Sequence, residues 1–162
     1  MHSGKFRQLR SITANLGDRR AKDVITEIRK HDKTFPAGKQ HISFEHAALF
    51  LYVLSALKYG ESLGNVKSLV SYFNYWHDLS KETIRQFLTR VLVRPPQYPE
   101  SVIKEIRINQ TNKEVYVIGI SGDMINSYTA NGKEVPYPIS VQLYSVWDRA
   151  FMIHMTNRLT TK

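Results

Sequence analysis

The stretch "LSKETIRQFLTRVL", residues 79–92, carries the side chains best suited to recognition chemistry in this chain. Ile84, Phe87, Leu88, Val91 and Leu92 recur at helical spacing and predict a helix with one buried stripe. Ser80 is the expected cap, with Lys81 and Glu82 in the first turn. The opposite face holds Glu82, Arg85, Gln86, Thr89 and Arg90, which are long hydrogen-bonding groups with a net positive charge. With Ile84 at the centre of the buried face, a step of about 100° per residue puts Glu82, Gln86 and Thr89 nearly opposite, and Thr83, Arg85 and Arg90 on the shoulders. Arg can pair with guanine and Gln with adenine in the major groove. Glu82, Thr83, Arg85 and Gln86 are therefore expected at base edges, and Arg90 and Arg94 nearer the phosphates. The competing reading is a solvated polar face.

The charge balance favours an anionic partner. The chain has 162 residues, with 23 Lys plus Arg against 14 Asp plus Glu, a formal charge of +9. That surplus suits nucleic acid or an acidic membrane. It is concentrated: residues 1–40 hold ten Lys/Arg against four Asp/Glu, and residues 80–113 hold seven against three. There is no cysteine, which excludes disulfides and disfavours the usual zinc sites. The N-terminal "MHSGKFRQLR" is charged and has no apolar run behind it, so no signal peptide is expected. No stretch approaches ~18 apolar residues. The expectation is a cytoplasmic protein with no membrane contact, in the host cytoplasm if the chain is phage-encoded.

Other chemistry is weakly represented. Of the six histidines, only His41 and His46 share a neighbourhood with another ligand type, Glu45, and their spacing does not put them on one face. No metal is expected. Ser43 and His46 could act as nucleophile and base, but no third group to orient the histidine is evident, and a helix cap is the better reading of Ser43. No glycine-rich phosphate loop is present. No cofactor and no enzymatic activity are expected. "YFNYWHD", 72–78, is rich in aromatics. Tyr72, Phe73 and Trp76 read as packing between helices, and Tyr75 and His77 as exposed.

The surrounding elements follow from periodicity and punctuation. Apolar spacing predicts helices over 4–16, 17–32, 43–60 and 65–74, separated by the loop "KTFPAGKQH" and by Gly60. Pro95, Pro96 and Pro99 stop the helix of residues 80–92. "VIKEIRI" and "EVYVIGI" alternate at strand period around the polar turn "NQTNK" and predict a hairpin. "SGDMINSY", 121–128, reads as one or two helical turns. Residues 139–159 read as a final helix, with Leu143, Trp147, Phe151 and Met155 on its apolar side.

Helix, turn, helix, then a two-stranded hairpin is the order of a winged helix-turn-helix. "LSKETIRQFLTRVL" resembles the recognition helix of MarR-type transcription regulators, whose pattern runs Leu-Ser-Lys, polar residues, an aliphatic, then Arg. "ISFEHAALFLYVLSAL" is similar to that family's preceding helix, and "VYVIGISGDMINSY" to its second wing strand and the helix after it. The wing tip lacks the family's Asp-x-Arg element. The resemblance covers roughly residues 42–128 and suggests a divergent, phage- or plasmid-encoded relative. It implies a mainly α fold with a two-stranded β-hairpin, flanked by N- and C-terminal dimerisation helices. In one domain, 1–162, residues 1–41 form a basic helical region, 42–121 the winged core and 122–162 a C-terminal helical region.

The implied function is sequence-specific regulation of transcription by a homodimer on double-stranded DNA. The contacts are expected from Ser80, Lys81, Glu82, Thr83, Arg85, Gln86, Thr89, Arg90 and Arg94, with Arg107, Asn112 and Lys113 at the wing. Phe6, Leu9, Ile12, Leu143, Trp147, Phe151 and Met155 are expected to join two protomers, since a symmetric dimer places two recognition helices about 34 Å apart. The alternatives are a winged module that binds a protein, such as a polymerase or replication partner, and a less specific DNA-binding protein of phage or plasmid replication.

Overall fold

A computed structural model describes residues 21–36, 42–97, 101–133 and 142–160. The helices α1 (Ala21–His31), α2 (Phe44–Ala56), α3 (Val66–Tyr75) and α4 (Ile84–Val93) come first. The strands β1 (Ile103–Asn109), β2 (Val115–Gly119), β3 (Met124–Tyr128) and β4 (Tyr144–Asp148) follow, and α5 (Arg149–Thr160) closes the chain. The four strands form one antiparallel sheet in the order β3-β2-β1-β4.

This sheet corrects the expected winged helix-turn-helix with a two-stranded hairpin. The hairpin exists as β1 and β2, but β1 is an inner strand with β4 on its other side. Residues 121–128 are not helical turns. Gly122 adopts φ +91 and accommodates the tight turn that folds β3 back on β2. The final segment is not one helix either. Tyr144–Asp148 is a strand, and Asp148 then caps α5 by accepting the Phe151 N–H at 2.8 Å. Leu143, Trp147 and Phe151 share helical spacing only because a strand and a helix meet between them.

The core forms where helices cover one sheet face. α2 is apolar on nearly every side because it is enclosed on nearly every side, with all of Ala47–Val53 buried. Strand alternation sends Ile106, Ile108, Val115, Val117, Tyr128 and Trp147 into the same core. Polar clamps fix helix to sheet. Trp147 Nε1 donates to Ser55 Oγ at 2.9 Å, and Ser145 Oγ donates to the Ser55 carbonyl at 2.6 Å. The Tyr52 hydroxyl donates to the Lys113 carbonyl at 2.8 Å.

The β3 edge is closed by a side chain of its own and, just past its end, by a backbone bridge to His77. The Ser127 N–H donates to Asn126 Oδ1 at 2.9 Å, and Thr129 exchanges two backbone hydrogen bonds with His77, both 3.1 Å. An edge occupied in this way offers little to an incoming strand. Just beyond it, Gly132 has φ +69, and a Cβ there would overlap the His77 ring. Gly132→Ala is expected to cost about 2 kcal/mol or more, from a left-handed backbone plus overpacking. An unchanged urea midpoint would refute that.

Among the described residues, no helix is long and apolar enough to cross a membrane.

Candidate nucleic-acid interface

α4 begins later than its sequence implied. Thr83 is the cap, in a full capping box: its side chain accepts the Gln86 N–H at 3.1 Å, and Gln86 Oε1 accepts the Thr83 N–H at 2.9 Å. Ser80 therefore caps nothing. It lies in the connection between α3 and α4, where its hydroxyl donates to Asp78 Oδ1 at 2.8 Å. Lys81, exposed, sits in the same connection with φ +68. The stripe Ile84, Phe87, Leu88, Val91 and Leu92 is buried.

Asp78 organises this connection. Its carboxylate, 6% exposed, accepts from Ser80, from the Glu82 N–H at 2.9 Å and from Asn126 Nδ2 at 3.0 Å. Burial works to raise the Asp78 carboxyl, but those hydrogen bonds outweigh it and hold the group below its ordinary range.

Glu82 is also committed. Its Oε1 accepts the Tyr128 hydroxyl at 2.6 Å and Arg90 Nη2 at 3.0 Å, and its Oε2 accepts Arg90 Nε at 3.2 Å. Burial, then the Glu82 hydrogen bond, push the Tyr128 hydroxyl far above its ordinary value. Tyr128 stacks on Phe87 with centroids 4.8 Å apart, and the Arg90 guanidinium lies 5.2 Å above the same Phe87 ring. Glu82 is thus a counter-ion within the fold rather than a free reader of bases. Thr89 is half-buried, and its enclosed hydroxyl has no hydrogen-bond partner among the described residues, so it does not reach outward.

What α4 does present is a cationic ridge along Arg90 and Arg94, with Arg85 on the opposite flank, about 140–180° round the helix. Arg85, Gln86, Arg90, Val93 and the C-cap Arg94 are exposed, and the helix contains no acidic residue. Arg85 pairs with Glu45 of α2, both near half exposure. Such a pair is worth about 0–1 kcal/mol, so an incoming phosphate can displace it. Arg94 makes no ion pair among the described residues. Beyond it, an open cleft of about 540 Å³ runs between the end of α4 and the start of β1, lined in part by Arg90, Arg94, Pro95, Pro96, Ser101 and Ile103.

The hairpin tip is occupied with its own structure. Arg107 Nε donates to Glu105 at 2.7 Å. Asn112 Oδ1 accepts the Glu114 N–H at 2.9 Å, and its Nδ2 donates to the Tyr116 hydroxyl at 3.1 Å. Lys113 points inward: its Nζ donates to the carbonyls of Ala56 at 2.8 Å and Gln110 at 2.7 Å, and to Glu61 Oε1 at 2.6 Å. The contacts expected from Arg107, Asn112 and Lys113 are not free in this arrangement.

The expected dimer surface is likewise divided. Trp147 and Met155 are in the protomer's own core, Phe151 is half-buried, and only Leu143 is exposed. Phe6, Leu9 and Ile12 lie outside the described residues. The aromatic run packs as helix neighbours: Tyr72 stacks on Trp76 at 3.8 Å, and Tyr75 is exposed.

Sequence reasoning missed the group that orients His46. Ser43 Oγ lies 2.9 Å from Nδ1, Thr34 Oγ1 lies 3.1 Å from Nε2, and Thr34 in turn donates to Asp32 at 2.6 Å. Since the Thr34 hydrogen goes to Asp32, Nε2 carries the imidazole proton and Nδ1 accepts from Ser43. Ser43 also accepts the His46 N–H at 3.1 Å, so it is a working cap. Burial is the main cause that lowers His46 below its ordinary 6.5; Asp32 and Glu45 oppose it and Arg85 adds to it. The unfolded chain therefore takes the proton first. Stability from this residue is present above about pH 6.5 and declines as pH falls below it. His46→Asn is expected to flatten that decline in urea titrations run from about pH 7 to 5. An unchanged slope would remove the proton linkage.

Among the described residues, no three His, Asp or Glu side chains converge as metal ligands. The site is thus a basic helical face beside a cleft, on an α+β domain. No protein-family model, no curated protein and no solved structure matches the chain.

Proposed function

We propose that the protein binds double-stranded DNA through the exposed ridge of α4, chiefly by its phosphates. The observation that carries this reading is the exposure of Arg90 and Arg94 on one flank of α4, and of Arg85 on the other, with no carboxylate on that helix. The side chains suited to base edges are tied up: Glu82 with Arg90 and Tyr128, and Gln86 and Thr83 with each other. Binding is therefore weighted to backbone contacts that position a protein without reading sequence. The role proposed on this basis is a DNA-associated one in the cytoplasm, in replication or regulation. The similarity of residues 79–92 to a MarR-type recognition helix points to the same surface, although its Leu-Ser-Lys portion lies in the connection before α4.

Fluorescence anisotropy on a labelled duplex tests the proposal. With Lys81, Arg85, Arg90 and Arg94 neutralising about four phosphates, affinity is expected to fall roughly 100-fold between about 50 and 200 mM salt. Glu82→Gln separates ridge from reader. On the ridge reading it frees Arg90 while the amide oxygen still accepts from Tyr128, and duplex affinity rises about fivefold at low salt. On the base-reading alternative it lowers affinity and relaxes selectivity.

A protein partner is the second reading. It is favoured by the large apolar side chains exposed at one end of the sheet, Leu79, Val102, Ile120 and Ile125. A flat salt response moves weight to it.

A further inference from the structure

We infer that the cleft at the C-terminal end of α4 receives one unpaired nucleotide, so that the preferred substrate is a duplex carrying a single-stranded extension. This rests on the DNA-binding reading of the α4 ridge and names the kind of DNA that ridge holds.

Size and chemistry agree. At about 540 Å³ the cleft lies within the range of small-ligand sites. Its walls are of two kinds. Pro95 and Ile103, both half-buried, offer apolar surface for the flat face of a base, and Arg90 and Arg94 offer guanidinium groups to a phosphate. Inside a duplex a paired base keeps its faces in the stack and shows only its edges, so a paired nucleotide within the duplex cannot use the apolar wall. An unpaired one can.

The cleft is also continuous with the ridge. Arg90 and Arg94 are four residues apart on α4, about 6 Å along the axis, and both line the cleft. A strand held by its phosphates on the Arg90 and Arg94 flank is delivered to the cleft by those two arginines. The far wall is braced: Arg149 donates to the Ile103 carbonyl at 2.7 Å and to the Ser101 carbonyl at 2.9 Å.

The end of α4 opposes an anion, because a helix C-terminus carries roughly half a negative charge. The full charge of Arg94 exceeds that, and Arg90 adds what it does not share with Glu82. The Thr156 hydroxyl also donates to the terminal Leu92 carbonyl at 2.6 Å and removes one unpaired acceptor from that end.

The experiment compares three labelled substrates by anisotropy at one salt concentration: a blunt duplex, the same duplex with a five-nucleotide extension, and that extension made abasic. The intact extension is expected to bind about tenfold more tightly than the blunt end, and the abasic one to lose most of that gain. Gln97→Glu sets a carboxylate in the cleft on an exposed residue and is expected to bring the ratio of extended to blunt affinity close to one. Equal binding of blunt and extended duplexes overturns the inference and leaves the DNA-binding reading standing. So does an abasic extension that binds as well as the intact one. Adenosine monophosphate that binds more tightly than the extended duplex makes the cleft a free-nucleotide site and also overturns it. Failure to bind any of the three DNAs refutes both readings.

Discussion

Lys113→Met is expected to lower the stability of the fold by about 3–5 kcal/mol, the usual cost of removing one partner from a buried ion pair. For a chain of this length that is a fall of roughly 10 °C in Tm. The Lys113 side chain is 13% exposed, and its ammonium joins three places: the last turn of α2 at Ala56, the following loop at Glu61 and the β1–β2 turn at Gln110. Burial tends to raise the Glu61 carboxyl, yet hydrogen bonds led by the Lys113 ammonium hold it below its ordinary value. Lys113 also sits at φ +69, a conformation that costs a side chain about 1–2 kcal/mol and is retained where the contacts exceed that cost. Methionine keeps the stem and the strain and removes the donor. Adding Glu61→Gln should recover part of the loss, because no uncompensated carboxylate then remains. Thermal unfolding of the two single variants and the double variant checks this. A variant with wild-type Tm that binds duplex DNA several-fold more weakly would restore Lys113 to a phosphate-contact role.

Asp78→Ala is the second large effect, at about 3 kcal/mol, since it leaves donors from Ser80, Glu82 and Asn126 without an acceptor. These donors belong to the connection and to β3, so the loss separates α4 from the sheet edge. The acid response has a definite sign. The folded carboxyl ionises below its ordinary value of 3.8, so the ionised form favours the folded state. Its contribution is complete above about pH 5 and disappears as pH falls through the folded value. Wild-type stability should therefore drop in acid more steeply than that of the alanine variant. Parallel acid titrations would count against the network.

How much of this was legible in the sequence depended on how local each signal was. The buried stripe of α4 and the strand alternation of β1 and β2 are written in neighbouring residues, and each lies in the core. The displaced start of α4 was written there too. Thr83 and Gln86 make a capping box at the standard spacing, but Ser80 offered an earlier and equally good cap. β3 was obscured because its core-facing alternation includes Asn126, a polar residue held by Asp78 from 48 positions away. β4 was obscured because Trp147 fits a helical stripe as readily as a strand. The state of the ridge was the least legible. Arg85 faces a partner 40 residues distant and Glu82 one 46 residues distant, and a pattern of exposed polar residues gives no warning of either.

The placement of β4 has a consequence for how the chain is made. β1 is an inner strand of the finished sheet, yet its second neighbour is synthesised about 35 residues after it. Until Tyr144–Asp148 leaves the ribosome, β1 presents an open edge, and the slot for Trp147 beside Ser55 is unfilled. Domains generally fold as units once their last contacts are available. The nascent chain thus passes through an interval in which α1–α4 and three strands exist beside a sticky margin. A premature stop just before residue 144 would make that interval permanent. Its product is expected to collect in inclusion bodies or be degraded rather than persist as a smaller working protein.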